Sequence, residues 1–208
     1  MRTASILAAI AAGTILSICQ MMAAQSANER SLSLTTGPPP TPLHLRFGNL
    51  TLPPMAYTMF CQHYRDECRP RLLFRGGSAH LTEARWEELK EVNETVNSAI
   101  IPESNELGVA AEVWLIDPER GDCNDYAVSK RHRLLGRGWP QRTLLLSEVV
   151  TVWGKHHLVL VVRTQSGDLV LDSLSTQIRP WTRAPYRWLR IQSPSNPRYW
   201  NIVAPRSV

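Results

Sequence analysis

Apolar positions recur at three- and four-residue intervals over 82–100, where Trp86, Leu89, Val92, Val96 and Ile100 share one face. This predicts a helix with Thr82 as its N-cap and Pro102 beyond its end. From Cys123 the residues again favour helix, with Ala127, Leu134 and Leu135 apolar and Gly136 as a stop. Cys123, Ala127 and Leu134 fall on one stripe, so the sulfur points toward whatever sheet the helix covers. Three runs rich in Val and Leu, 143–153, 157–164 and 168–174, read as strands, with Ser166-Gly167 marking a turn between the last two. Helices followed by an antiparallel sheet make the fold class α+β. Between the helices, 103–118 shows no sustained period.

Length and composition locate the domain within the chain. Its 208 residues suit one domain once the N-terminal region is set aside. Arg2, the apolar run 6–18 and the small residues Ala23, Ala24, Ser26 and Ala27 read as a signal peptide over 1–27, cleaved near 24–27. The competing reading is an uncleaved anchor, because Met21 to Ala24 extend the apolar stretch toward spanning length. Lipoprotein cleavage before Cys19 fits less well, since Ile18 is bulky where a small residue is wanted. A Pro-rich linker, 28–42, ends in G-P-P-P-T-P, and the folded domain is expected over 43–208. After signal removal no stable membrane span is expected, and the protein belongs in the periplasm or outside the cell.

The four cysteines support export. Cys19 leaves with the signal, Cys61 and Cys68 stand close together, and Cys123 remains unpaired. In an oxidising compartment Cys61 and Cys68 close a short loop; a shared metal is the alternative, but no partner set follows at zinc-site spacing. The net charge of +5 is spread out. Its densest run, 179–190, interleaves Arg with Trp181, Tyr186 and Trp188, a pattern that suits either base stacking or buried aromatics with solvated arginines. No nucleic-acid motif accompanies it, so nucleic acid is not expected as a partner.

The candidate chemistry starts at Cys123, where unpaired N–H groups and the positive helix end favour a thiolate, with Asp122 as N-cap. The alternative is a small buried packing residue. His157 opens one strand and Asp172 ends the next, so an antiparallel pair brings them to one sheet edge. Cys, His and Asp then supply nucleophile, base and orienter. With a loop over 163–166 His157 lies opposite Asp172, whereas a two-residue turn at Ser166-Gly167 separates them by about four residues, or roughly 13 Å. His156, on the opposite strand face, is the rival base. Trp114, in E-V-W-L-I-D-P, either lines the approach to Cys123 and touches substrate or simply packs.

The segments G-D-C-N-D-Y-A-V-S-K-R-H-R-L-L-G-R-G-W-P and H-L-V-L-V-V-R-T-Q-S-G-D-L-V-L-D-S-L, with a late Trp200, resemble the bacterial transglutaminase-like cysteine proteinase family from about Phe60 to Trp200. The early Cys61 and Cys68 fit the resemblance as well. It implies a papain-like or transglutaminase-like fold, in which a helix with the catalytic Cys at its N-terminus packs on an antiparallel β-sheet, an exported location, and a triad falling on Cys123, His157 and Asp172. Relatives include calcium-dependent periplasmic proteases that clip adhesins, so a cell-envelope protein substrate is implied. Their cysteine is flanked as G-D-C-E-D; here Asn124 stands for the Glu, and Ser173 follows Asp172 where Asn is usual. Calcium is thus expected, if at all, at Asp122, Asn124 and Asp125, with reduced charge, and no cofactor is required. A transglutaminase or amidase using the same triad, and a catalytically silent binding module, are the alternative functions.

Overall fold

The computed structural model describes residues 43–71, 78–104 and 112–205; the expected signal segment and linker lie outside them. Strand β1 (Phe47–Thr51) leads to helix α1 (Met55–His63) and a 3-10 turn, Arg65–Glu67. Helix α2 (Glu83–Ala99) begins where Thr82 accepts the Arg85 N–H, and it buries Leu89, Val92, Val96 and the following Ile100, as the periodicity predicts. Two short strands, β2 (Ile101–Pro102) and β3 (Arg120–Gly121), pair in parallel just before helix α3 (Cys123–Gly136). The rest is mostly sheet: β4 (Leu144–Val150), β5 (His156–Thr164), β6 (Gly167–Leu171), β7 (Arg179–Pro180), β8 (Arg187–Gln192) and β9 (Trp200–Val203). With β1 they form one antiparallel seven-stranded sheet, ordered β1-β9-β8-β4-β5-β6-β7. This is the α+β architecture of papain-like and transglutaminase-like proteins.

Both faces of the central strands are buried, which accounts for their nearly continuous apolar runs. Leu158, Leu160 and Val162 face the helices with Leu144 and Leu146, whereas Val159 and Val161 meet Leu145, Val149, Trp181 and Ile191 on the other side. The Arg-rich run 179–190 serves this second layer: Trp181 is buried in it and Trp188 packs against it. Among the described residues no helix is long and apolar enough to cross a membrane.

Strand boundaries depart from the sequence expectation where the hairpins turn. Gly167 belongs to β6 and pairs with Thr164, which leaves Gln165 and Ser166 as the turn. A side chain at Gly167 would be strained, because φ is 129° and a Cβ would come within 2.8 Å of the Leu43 carbonyl. The resulting register sets Leu160 opposite Leu171, and one further step sets Val159 opposite Asp172. Neither register considered from the sequence is therefore present: His157 and Asp172 are displaced by two residues, on the same face.

Candidate active site

Cys123 is the first residue of α3, and its position is set by a capping box. Asp122 accepts the Asn124 N–H at 2.8 Å, while Asp125 Oδ2 accepts the Asp122 N–H at 2.9 Å. Asp125 Oδ1 also accepts the Leu115 N–H at 2.7 Å, tying the preceding loop to the helix. Gly121 is required beside this box, since a Cβ there would overlap the Asp125 carboxylate.

His157 faces the cleft beside Cys123 from the sheet, and buried Asp172 is hydrogen-bonded to this histidine. His157 Nε2 lies 2.7 Å from Asp172 Oδ1, and the side chains are only 5% and 7% exposed. Donation from Nε2–H to the carboxylate leaves Nδ1 as the nitrogen able to accept a proton. Asp172 is held further by the Leu174 N–H at 3.0 Å and by the hydroxyl of Tyr186, which donates to Oδ2. Burial alone would raise the Asp172 pKa; the hydrogen bond and charge of His157, then Tyr186 and Leu174, outweigh it and hold the carboxyl below its ordinary value. The Tyr186 ring lies 5.8 Å from that of His157, so it backs the imidazole as well as the carboxylate. Tyr186 was legible from sequence only as one aromatic in an Arg-rich run, because its partner lies on another strand.

His156 borders the same cleft but is not buried in it. It is exposed and pairs through Nδ1 with Glu148 Oε1 at 2.6 Å, and Glu148 also accepts from Arg190. The two histidines differ in burial and partner, His157 buried on Asp172 and His156 exposed on Glu148, and both line the cavities that Cys123 lines.

Cys123 is half-buried and its thiol is pushed up to about 12. Burial is the largest cause; the Leu158 N–H works in the opposite direction, and the carboxylates of Asp122, Glu112 and Asp125 add to the rise. The helix N-terminus predicted the reverse. Burial, with the three neighbouring carboxylates added to it, opposes the field of the helix end and holds the thiol above its ordinary value.

Cys123 and His157 line two cavities together. One, of about 560 Å³, includes Gly121, Asp122, Lys155 and Ser173 in its wall; the other, of about 290 Å³, includes Met55, Trp114 and Arg190. Trp114 is buried against Tyr57 and Phe60, and it also lines the smaller cavity beside Cys123. Its Nε1–H donates to Glu112 Oε1 at 3.0 Å, and Asn124 Nδ2 donates to the same oxygen.

The expected calcium ligands do not form a cage. Both Asp125 oxygens accept backbone N–H groups, Asp122 caps α3, and Asn124 directs its NH₂ at Glu112. No group of three or more His, Cys, Asp or Glu side chains is arranged for a metal among the described residues. Cys61 and Cys68 form a disulfide.

A half-buried cysteine at a helix N-terminus, facing an antiparallel sheet, places the domain with the papain-like and transglutaminase-like thiol hydrolases. The model of the bacterial transglutaminase-like cysteine proteinase (BTLCP) family matches residues 47–207, and the chain belongs to that family of cysteine peptidases. The fold is similar to that of calcium-bound LapG from Legionella pneumophila, at 22% identity and a TM-score of 0.51, over 59% of this chain and 71% of that one. A second Legionella pneumophila LapG structure matches at 24% identity and a TM-score of 0.45, over 51% of this chain; the match spans 62% of that chain, less than two thirds. An EGTA-treated form matches at 22% identity and a TM-score of 0.48, covering 59% of this chain and 69% of its own. No curated protein matches.

Proposed function

We propose that the protein is an exported cysteine peptidase in which Cys123 is the nucleophile, His157 the general base and acid, and Asp172 the orienter. The observation that carries this reading is the buried 2.7 Å pairing of His157 Nε2 with Asp172, beside the cleft that Cys123 lines. As Sγ attacks the substrate carbonyl carbon, the thiol proton passes to His157 Nδ1 and the carbonyl oxygen becomes an oxyanion near the N-terminus of α3. There the Cys123 backbone N–H is a donor. Collapse breaks the C–N bond, His157 protonates the leaving amine, and a thioester remains on Cys123. Water then gives a proton to His157 and attacks the thioester; the acid is released, and the sulfur regains its proton. Asp172 stabilises the imidazolium in both halves.

The substrate is a protein of the cell envelope, with an adhesin as the kind that family resemblance suggests, and the location is the periplasm or outside the cell. The signal segment 1–27, the linker 28–42 and the domain 43–208 are part of this reading, and the disulfide supports it, since such bonds persist in oxidising compartments. Calcium has no step in the reaction as written. Comparing cell-envelope proteomes with the native protein and with Cys123→Ala tests the function. Fragments that need Cys123 support it; identical proteomes together with amine-incorporated products would replace hydrolysis by transamidation.

A further inference from the structure

Three buried polar atoms, carried by two helices that pack together, are not used by the reaction as written. Lys130 is fully buried, with a relative exposure of 0%, and its Nζ has no hydrogen-bond partner among the described residues. Two amide oxygens share this condition, Oδ1 of Asn93 and Oδ1 of Asn97. The two asparagines stand one turn apart on α2, the helix that packs against α3. Their Nδ2 groups grip the loop that carries the triad carboxylate: Asn97 donates to the Asp172 carbonyl at 3.0 Å and to that of Ser175 at 3.4 Å, and Asn93 donates to the Thr176 carbonyl at 3.0 Å. Lys130 occupies the stripe of Cys123, Ala127 and Leu134, seven residues or about 10 Å along the helix from the sulfur.

The composition of this set is complementary: one amine with three donors and two amide oxygens with lone pairs. A buried amine without partners costs several kcal/mol, so an unused lysine here would be a poor choice against Leu or Met. Burial draws its pKa down to about 7, and Asp172 is the charge that acts in the opposite direction.

We infer that Lys130 is a positioning residue for Asp172: bridged by a buried water to the Asn93 and Asn97 amide oxygens, its ammonium makes a polar anchor that holds the 172–176 loop against His157. This rests on the proposed triad. Lys130 touches no reacting atom; it acts by fixing the carboxylate that selects the imidazole tautomer.

The test is Lys130→Met, which keeps the length of the side chain and removes its charge. The readout is the downfield proton resonance of His157 Nε2–H hydrogen-bonded to a carboxylate, measured without substrate, together with kcat, KM and the unfolding midpoint. We expect the variant to unfold at or above the native midpoint, to lose or broaden that resonance, and to drop at least about tenfold in kcat with little change in KM. A folded variant with the native resonance and native kcat overturns the inference. Should Lys130→Met not fold, a crystal structure of the native protein decides: an ordered water shared by Nζ and Asn93 or Asn97 Oδ1 supports the anchor, and Nζ among apolar atoms only overturns it. A native protein that shows the resonance but hydrolyses no peptide would sink the peptidase reading and leave the anchor standing. Absence of the resonance from the native protein would overturn both.

Discussion

His157 and Asp172 are hydrogen-bonded at 2.7 Å although they are not opposite one another; the β5–β6 register places Val159 across from Asp172. A displacement of two residues keeps both side chains on one face, and diagonal neighbours on that face are within reach of a long side chain. Asp172 lies just beyond the end of β6 and is free of ladder geometry, so Leu174, Tyr186 and Asn97 can set its position.

Three substitutions test the division of labour. Cys123→Ala is expected to abolish peptide hydrolysis, His157→Ala to lower kcat at least about a thousandfold, and His156→Ala to leave it within about threefold, because His156 is turned toward Glu148. Steady-state assays on folded variants check this; native turnover by Cys123→Ala would end the mechanism.

Tyr186→Phe removes one hydrogen bond to the Asp172 carboxylate and keeps the ring against His157. A bond to a charged group contributes about 1.5–3 kcal/mol, so kcat is expected to fall roughly tenfold to a hundredfold with little change in KM. Asp172→Asn should lower it further without unfolding the domain. A Tyr186→Phe enzyme with native kcat would show that the hydroxyl does not orient the carboxylate.

Stability should depend on Asp125. Burial, with the neighbouring Asp122 and Glu112 carboxylates, raises its pKa to about 6 despite two backbone N–H bonds. A raised acid binds its proton more tightly in the folded state, so the Asp125 contribution to stability is fully present below the unfolded value near 4 and is lost as pH rises through about 6. That loss is on the order of 3 kcal/mol. Denaturant unfolding of native protein and Asp125→Asn from pH 4 to 7 measures it; curves of equal slope would refute it.

Loss of the Cys61–Cys68 disulfide should cost about 2–3 kcal/mol by the loop-entropy relation. The loop it closes carries Glu67, which pairs with fully buried Arg131 at 2.8 Å under α3. A Cys61→Ser, Cys68→Ser double variant is therefore expected to lose activity along with stability. Non-reducing peptide mapping of exported protein should find this one bridge and a free Cys123.

Calcium binding should be weak in the native chain and stronger in Asn124→Glu, which restores a charged ligand next to Asp122 and Asp125. Calorimetric titration after chelator treatment compares them. Tight native binding, or no gain in the variant, would show that Asn124 does not set the affinity.

The periodicity of 82–100, the Thr82 and Asp122 caps, the Cys123 helix and the antiparallel run of strands were determined by the sequence alone, because each depends on residues within a few positions of one another. What only the tertiary structure decided was long-range. Local turn signals favoured Ser166-Gly167, but Gly167 lies in the strand with its backbone close to Leu43, and this moved the register by two residues. Tyr186 reaches Asp172 from another strand, and Glu112 comes from a loop to meet Asn124. The cysteine shows the limit most sharply: a helix N-terminus predicts a low pKa, yet burial and three carboxylates, Glu112 among them, reverse it. Helix caps and alternation follow from chain neighbours, whereas electrostatics in a cleft sums over every charge that folding brings near.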